Sequence, residues 1–237
     1  MNTSSEAGTA AQPELEAPIL PVRDMVLFPG ELAQLYVGRW TSVQALVEAY
    51  RAPKRILVVA QRAPEQAMPG EDDLFGIGTL ATLMDCRQHP DGYLVVSARG
   101  DQRARLLELT QRIPCLTGRV QPLREPSARD VLPERERVLA LAQRVARRSP
   151  HVPIESLRAA LQLEDPARLA GALAASLLSD VEQRQQVLEA VSVSERTERL
   201  MLGLASESAA PPENHAVGAR LKSLFHRWRV DRLRWNG

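Results

Sequence analysis

DDLFGIGTLATLMDCRQHPDGYLVVSARGDQRARL, residues 72–106, is the stretch whose reading decides the fold. Two apolar runs, FGIGTLATLMDCRQ (75–88) and YLVVSAR (93–99), flank Pro90-Asp91-Gly92. Each run has strand length, and Gly92 can take the positive φ that a tight reversal needs, so the stretch predicts a β-hairpin. The same texture extends outward on both sides. APILPV (17–22), MVLFP (25–29), ELAQLYVG (31–38), RILVVAQ (55–61), ARLLELTQ (104–111) and IPCLTGRVQPL (113–123) are short apolar runs broken by Pro, Gly and Asp. PGEDD (69–73) reads as an open acidic loop. Gly76 and Gly78 lack the third glycine and following helix of a dinucleotide loop, so they read as bulge or close-packing glycines in a strand. Gly100 reads as a bend between strands, with Arg103 and Arg105 on one face of the second.

One helix interrupts the strands. Val43, Leu46, Val47 and Tyr50 recur at helical spacing, and Thr41 with Gln44 forms a capping-box pattern. Residues 18–124 are therefore expected to form a mainly β barrel or curled sheet, and 1–17, small, polar and poor in apolar surface, a disordered start. Beyond REPSARD (124–130) the period becomes helical. Pro133 opens a helix with Val138, Leu141 and Val145 on one face, and a short second helix is expected at 153–163. Asp165-Pro166 caps and opens a third through Leu169, Leu173 and Leu177, and the pairs Asp180/Gln183 and Ser192/Glu195 start two more. The expected class is α+β, a β barrel followed by a helical bundle over 130–207. Ala209-Ala210-Pro211-Pro212 then interrupts the pattern, and 208–237 forms a linker and a basic amphipathic tail.

The chain has 237 residues and a formal net charge of +1. Of its 30 basic residues only Lys54 and Lys222 are lysines. Neither follows a Gly-rich turn, which excludes a phosphate loop, and neither has a nucleophilic partner nearby, which removes the basis for serine–lysine or Schiff-base chemistry. Cys86 and Cys115 lack CxxC spacing and read as reduced core thiols. His89, His151, His215 and His226 are scattered, so no metal site is expected, and Ser97 and Ser176 lack a nucleophile elbow. No catalytic residue and no cofactor is proposed. There is no apolar stretch of about 18 residues and no signal-peptide pattern, so a cytoplasmic protein is expected.

The ordered motifs LPVRDMVLFPG (20–30), LYVGR (35–39), ILVVAQR (56–62), DDLFGIGTLATL (72–83), PDGYLVVSARGDQRARL (90–106), DPARLAGALAASL (165–177) and QQVLEAVSVSERTERLM (185–201) resemble the amino-terminal, substrate-binding LON domain of the Lon ATP-dependent proteases. The resemblance implies a PUA-like β barrel followed by a helical bundle, used to bind unfolded or damaged proteins. In those proteases the bundle runs on into an ATPase module and a serine–lysine peptidase. Here the sequence ends at Gly237, so a stand-alone, non-enzymatic LON-domain protein is expected, acting as adaptor or regulator of an ATP-dependent protease. Arg99 also stands where the family usually has an acidic residue before the glycine at position 100.

Phe28, Arg39 and Trp40 are the candidate client contacts. Arg23 and the Phe28-Pro29-Gly30 turn are either a peptide-contacting rim or a structural turn. Arg39 and Trp40 belong to the residue types that anchor interfaces, although Trp40 also sits where a hydrophobic staple onto the first helical turn is common. The tail contacts are Arg220, Arg227, Trp228, Arg229, Arg232 and Arg234. Its six cations and one anion over 216–237 give +5, against −4 for the rest of the chain. It could bind nucleic acid, an anionic membrane, or dock through its apolar stripe. Partners considered are unfolded proteins, a protease and self-association through the bundle. The alternatives are a nucleic-acid-binding PUA-like protein and a remnant of a Lon protease.

Overall fold

The computed structural model describes residues 12–51, 53–124 and 160–209, with isolated positions between 136 and 158. The expected first helix of the bundle, most of the second, and the tail fall largely or wholly outside these residues. The elements are β1 (Leu15–Val22), β2 (Leu32–Val37), α1 (Trp40–Arg51), β3 (Arg55–Ala60), β4 (Ile77–Gln88), β5 (Leu94–Gln111), β6 (Thr117–Pro122), α2 (Pro166–Leu177), α3 (Val181–Glu189) and α4 (Val193–Ala209). The six strands run β2-β5-β4-β3-β1-β6, and β5 also pairs with β6. That extra pairing joins β5, β4, β3, β1 and β6 into a closed ring and leaves β2 as a wing on the first half of β5. Only β1 and β3 are parallel, and the excursion between them holds β2 and α1. The class is α+β, as the sequence predicts.

β3 shows why so many runs are uninterrupted. Leu57 and Val59 belong to a core that continues into Leu169, Leu173, Val187 and Leu200 of the helices, whereas Ile56 and Val58 belong to a second core beneath α1. A strand buried on both faces has no polar alternation. The hairpin forms as predicted, with Gly92 at φ +91° and the His89 amide donating to Tyr93 O at 2.8 Å.

Several expectations are corrected. β1 begins at Leu15, inside the segment expected to be disordered, because Leu15–Pro18 pair with Val120–Thr117. MVLFP is not a strand: Val26, Leu27 and Phe28 are buried in an irregular segment, tied by the Thr79 hydroxyl donating to Leu27 O at 2.6 Å. The runs on either side of Gly100 are one 18-residue strand, β5, with a register shift where Leu80 faces Gln102 and Ala81 faces Gly100. A Cβ on Gly100 would lie 2.2 Å from Phe28 O, so close backbone approach demands glycine there. The buried face of α1 is Ser42, Ala45, Leu46 and Ala49, not the predicted stripe: Val47 and Tyr50 are exposed. Two alanines let the helix lie close to the sheet. Thr41 is inside α1 and does not cap it, because the helix already starts at Trp40.

The other caps stand. Asp165 accepts from the Ala167 amide and Asp180 from the Gln183 amide, both at 2.9 Å, and the Glu195 amide donates to Ser192 Oγ at 3.1 Å. Gly78 is also a close-packing glycine, since its Cβ would lie 2.4 Å from Val58 O.

Candidate functional site

Phe28, Arg39 and Trp40 are not brought together as one surface. Phe28 is 2% exposed and packs on Gly171 of α2, so it joins the barrel to the helices and offers nothing to solvent. Arg39 precedes α1 and works as a tether. Its Nη2 donates to Pro21 O at 2.7 Å, and its Nη1 to Gln61 Oε1 at 2.9 Å and to Ala67 O at 3.3 Å. Gln61 is buried and passes the restraint on, donating through Nε2 to Ala63 O and Gln66 O. The pair thus pins the loop 62–74 against the ends of β1 and β3. Trp40 is the first helical residue and is 52% exposed, so it lies inside α1 and not at the position before the cap where a staple residue sits. The six tail residues from Arg220 to Arg234 lie outside the described residues.

Two surface features remain. The first is a shallow, open groove at the amino end of α1, between β1, the pinned loop and the β5–β6 turn. Arg39, Thr41, Ser42 and Arg112 are its polar lining residues, with Ile19, Met68 and Leu116 among the apolar ones. The second is the outer edge of β2, which no strand pairs among the described residues. Its register with β5 settles which groups that edge presents. Gly100 N donates to Glu31 O, which makes 31/100 a hydrogen-bonded pair, and alternation then makes 33/98, 35/96 and 37/94 bonded pairs. Leu32, Gln34 and Tyr36 therefore turn their N–H and C=O outward. Their side chains are exposed too, while Leu35 and Val37 are buried. LAQLYV carries no charge and no proline, so it lacks the devices that usually blunt an open edge.

Sequence reasoning missed Arg103 and Ser42. Arg103 is 2% exposed and donates through Nη1 to Leu188 O at 2.9 Å and Ala190 O at 2.7 Å, fastening the end of α3 to the barrel. Its only signal was a cation inside an apolar strand. Arg99, at the departure from the family pattern, pairs with Asp101 at 3.1 Å. Burial pushes the thiols of Cys86 and Cys115 up, which disfavours the thiolate. Among the described residues no group of three or more His, Cys, Asp or Glu could hold a metal ion, and no helix is long and apolar enough to cross a membrane.

Comparison with known proteins places this architecture. A family model described as the ATP-dependent protease La (LON) substrate-binding domain matches residues 16–205. The Lon protease of Escherichia coli strain K12 is 33% identical over 199 residues, covering 81% of this chain and 25% of that protein. The Lon protease of Xanthomonas oryzae pv. oryzae is 34% identical over 223 residues, covering 92% of this chain and 26% of that protein. The chain thus spans about a quarter of the length of these relatives. Among solved structures, a Lon N-terminal domain protein from Xanthomonas campestris shares the fold at TM-score 0.59 and 23% identity, covering 79% of this chain and 98% of that one. The N-terminal domain of Mycobacterium avium complex Lon protease does so at TM-score 0.61 and 20% identity, covering 81% and 98%. With the motifs in order and the family model spanning barrel and helices alike, this chain belongs to the LON substrate-binding domain family.

Proposed function

We propose that this domain binds unfolded or extended protein segments and works without catalysis of its own, as an adaptor or regulator that presents clients to an ATP-dependent protease. The observation that carries the reading is the edge of β2. The outward N–H and carbonyl groups of Leu32 and Gln34 alternate along an uncharged strand, and an extended chain matches such a row of donors and acceptors. Leu32 and Tyr36, whose side chains are exposed on the same strand, offer apolar contact that does not demand a particular client sequence. Edge pairing supplies weak, permissive affinity, which suits a module that must accept many clients. The family's name supports the same reading, since it describes a substrate-binding domain.

The test is fluorescence anisotropy with a labelled, carboxymethylated reporter protein that cannot fold. Gln34→Pro removes one outward N–H and leaves the bonds to β5 intact, because the Gln34 amide faces away from β5. The wild-type chain is expected to bind the unfolded reporter and not its folded parent, and Gln34→Pro to weaken binding about tenfold. Absence of binding by the wild type, or equal binding by both proteins, contradicts the edge as the client site.

A further inference from the structure

We propose that the groove at the amino end of α1 is a carboxylate pocket that captures the free carboxyl terminus of an extended chain whose last side chain is apolar. This rests on the client-binding reading and names a second feature by which a client is held. The lining contains two guanidinium groups, Arg39 and Arg112, two hydroxyls, Thr41 and Ser42, and no acidic residue. No carboxylate lies within ion-pair distance of Arg112 among the described residues. Arg39 is held rigidly by Pro21 O and Gln61, so its charge is already in place.

The helix start adds donors. The residue before α1 is Arg39, which has no side-chain acceptor, and no described side chain caps the first-turn N–H groups of Trp40, Thr41 and Ser42. The independent sign of a ligand is Ser42. It is 5% exposed and lines the groove, yet its hydroxyl makes no hydrogen bond within the described residues. A hydroxyl that no described side chain or backbone group engages, on the wall of a groove with two guanidinium groups, can donate to an acceptor bound there. Met68 and Leu116 in the wall then decide the ligand's class. A wholly polar anion such as phosphate leaves those walls unused, whereas the terminal residue of a peptide carries a carboxylate and an apolar side chain on one carbon.

The experiment compares a fluorescein-labelled hexapeptide, Ser-Gly-Ser-Ala-Ala-Leu, with a free carboxyl terminus and the same peptide as its amide, both titrated with the full chain. The acid is expected to bind roughly tenfold more tightly than the amide, the scale of one charge-assisted contact. Arg112→Ala should abolish that difference, and Ser42→Ala should weaken only the acid, by about threefold, with an unchanged melting temperature. Equal binding of acid and amide overturns the proposal, as does an acid-to-amide ratio that survives Arg112→Ala, or failure of both peptides to bind. An amidated peptide ending in Glu that binds as well as the acid overturns the chain-end assignment in favour of internal carboxylates. The unfolded reporter is run in parallel. Reporter binding with no acid preference refutes the pocket alone, while acid preference without reporter binding refutes the client reading alone.

Discussion

Phe28→Ala removes a ring that is 2% exposed at the join between barrel and helices. The loss combines the transfer free energy of the ring with the cavity it leaves, about 3–5 kcal/mol for buried phenylalanine. Set against a typical domain stability of about 5–15 kcal/mol, that is a large fraction. Its partner, Gly171 of α2, sharpens the prediction. A Cβ there would sit 2.9 Å from Phe28 Cδ1 and 3.3 Å from Phe28 Cβ. Carbon contacts are comfortable at about 3.5–4.0 Å. Gly171→Ala therefore carries an overpacking cost of about 1–3 kcal/mol, opposed by about 1 kcal/mol of helix propensity. In the native background the expected net is a loss of about 1 kcal/mol. In the Phe28→Ala background the ring contact is gone and the same change should gain up to about 1 kcal/mol. The assay is urea denaturation followed by far-ultraviolet circular dichroism across the four-member cycle. A coupling free energy of about 1–2 kcal/mol is expected. Additive effects, or a Phe28→Ala cost below about 1 kcal/mol, refute the packing argument.

Arg103→Met keeps much of the side-chain volume but strips two carbonyls of their charged donor, so a loss of about 3 kcal/mol is expected in the same denaturation assay. Burial holds the Glu31 carboxyl above the ordinary carboxylate range, outweighing the Phe28 N–H at 2.9 Å and the Arg184 charge that pull it down. A raised folded-state value means that the stability Glu31 contributes is fully present below its unfolded pKa and is lost as pH rises through the folded one. Melting curves taken upward from about pH 4 should therefore show a decline that Glu31→Gln reduces. Arg39→Met cuts the tether to Pro21, Gln61 and Ala67. Amide exchange over 62–74 should accelerate at least about tenfold while β4 and β5 keep their protection, since local opening is set by local restraints.

Local chemistry was legible wherever a few neighbouring residues determine it. Pro90-Asp91-Gly92 sufficed for the hairpin, and Asp165-Pro166, Asp180 and Ser192 announced helix starts that the structure keeps. Period was less decisive where two stripes compete. In α1 the 3.6-residue spacing suits both Val43-Leu46-Val47-Tyr50 and Ser42-Ala45-Leu46-Ala49, and the second is buried because alanines allow close approach to the sheet. Long-range backbone contacts could not be read at all. MVLFP is apolar enough for a strand, but its carbonyls serve Thr79 and crowd Gly100, partners 52 and 72 positions away in the chain. The same limit hid Phe28 as a packing residue. It also left Arg39 looking like a contact, since its acceptors on Pro21, Gln61 and Ala67 meet only when the barrel closes. The open edge of β2 was equally invisible, because LAQLYV reads the same whether or not a neighbour pairs with it.

The most direct measurement is residue-resolved amide hydrogen exchange on β2, with and without the unfolded reporter. Ala33, Leu35 and Val37 bond to β5 and should be protected in both states. Leu32 and Gln34 face the open edge, so they should exchange freely alone and become protected when the client is added. Bound reporter with no added protection at those two amides, or no bound reporter at any concentration, contradicts the account.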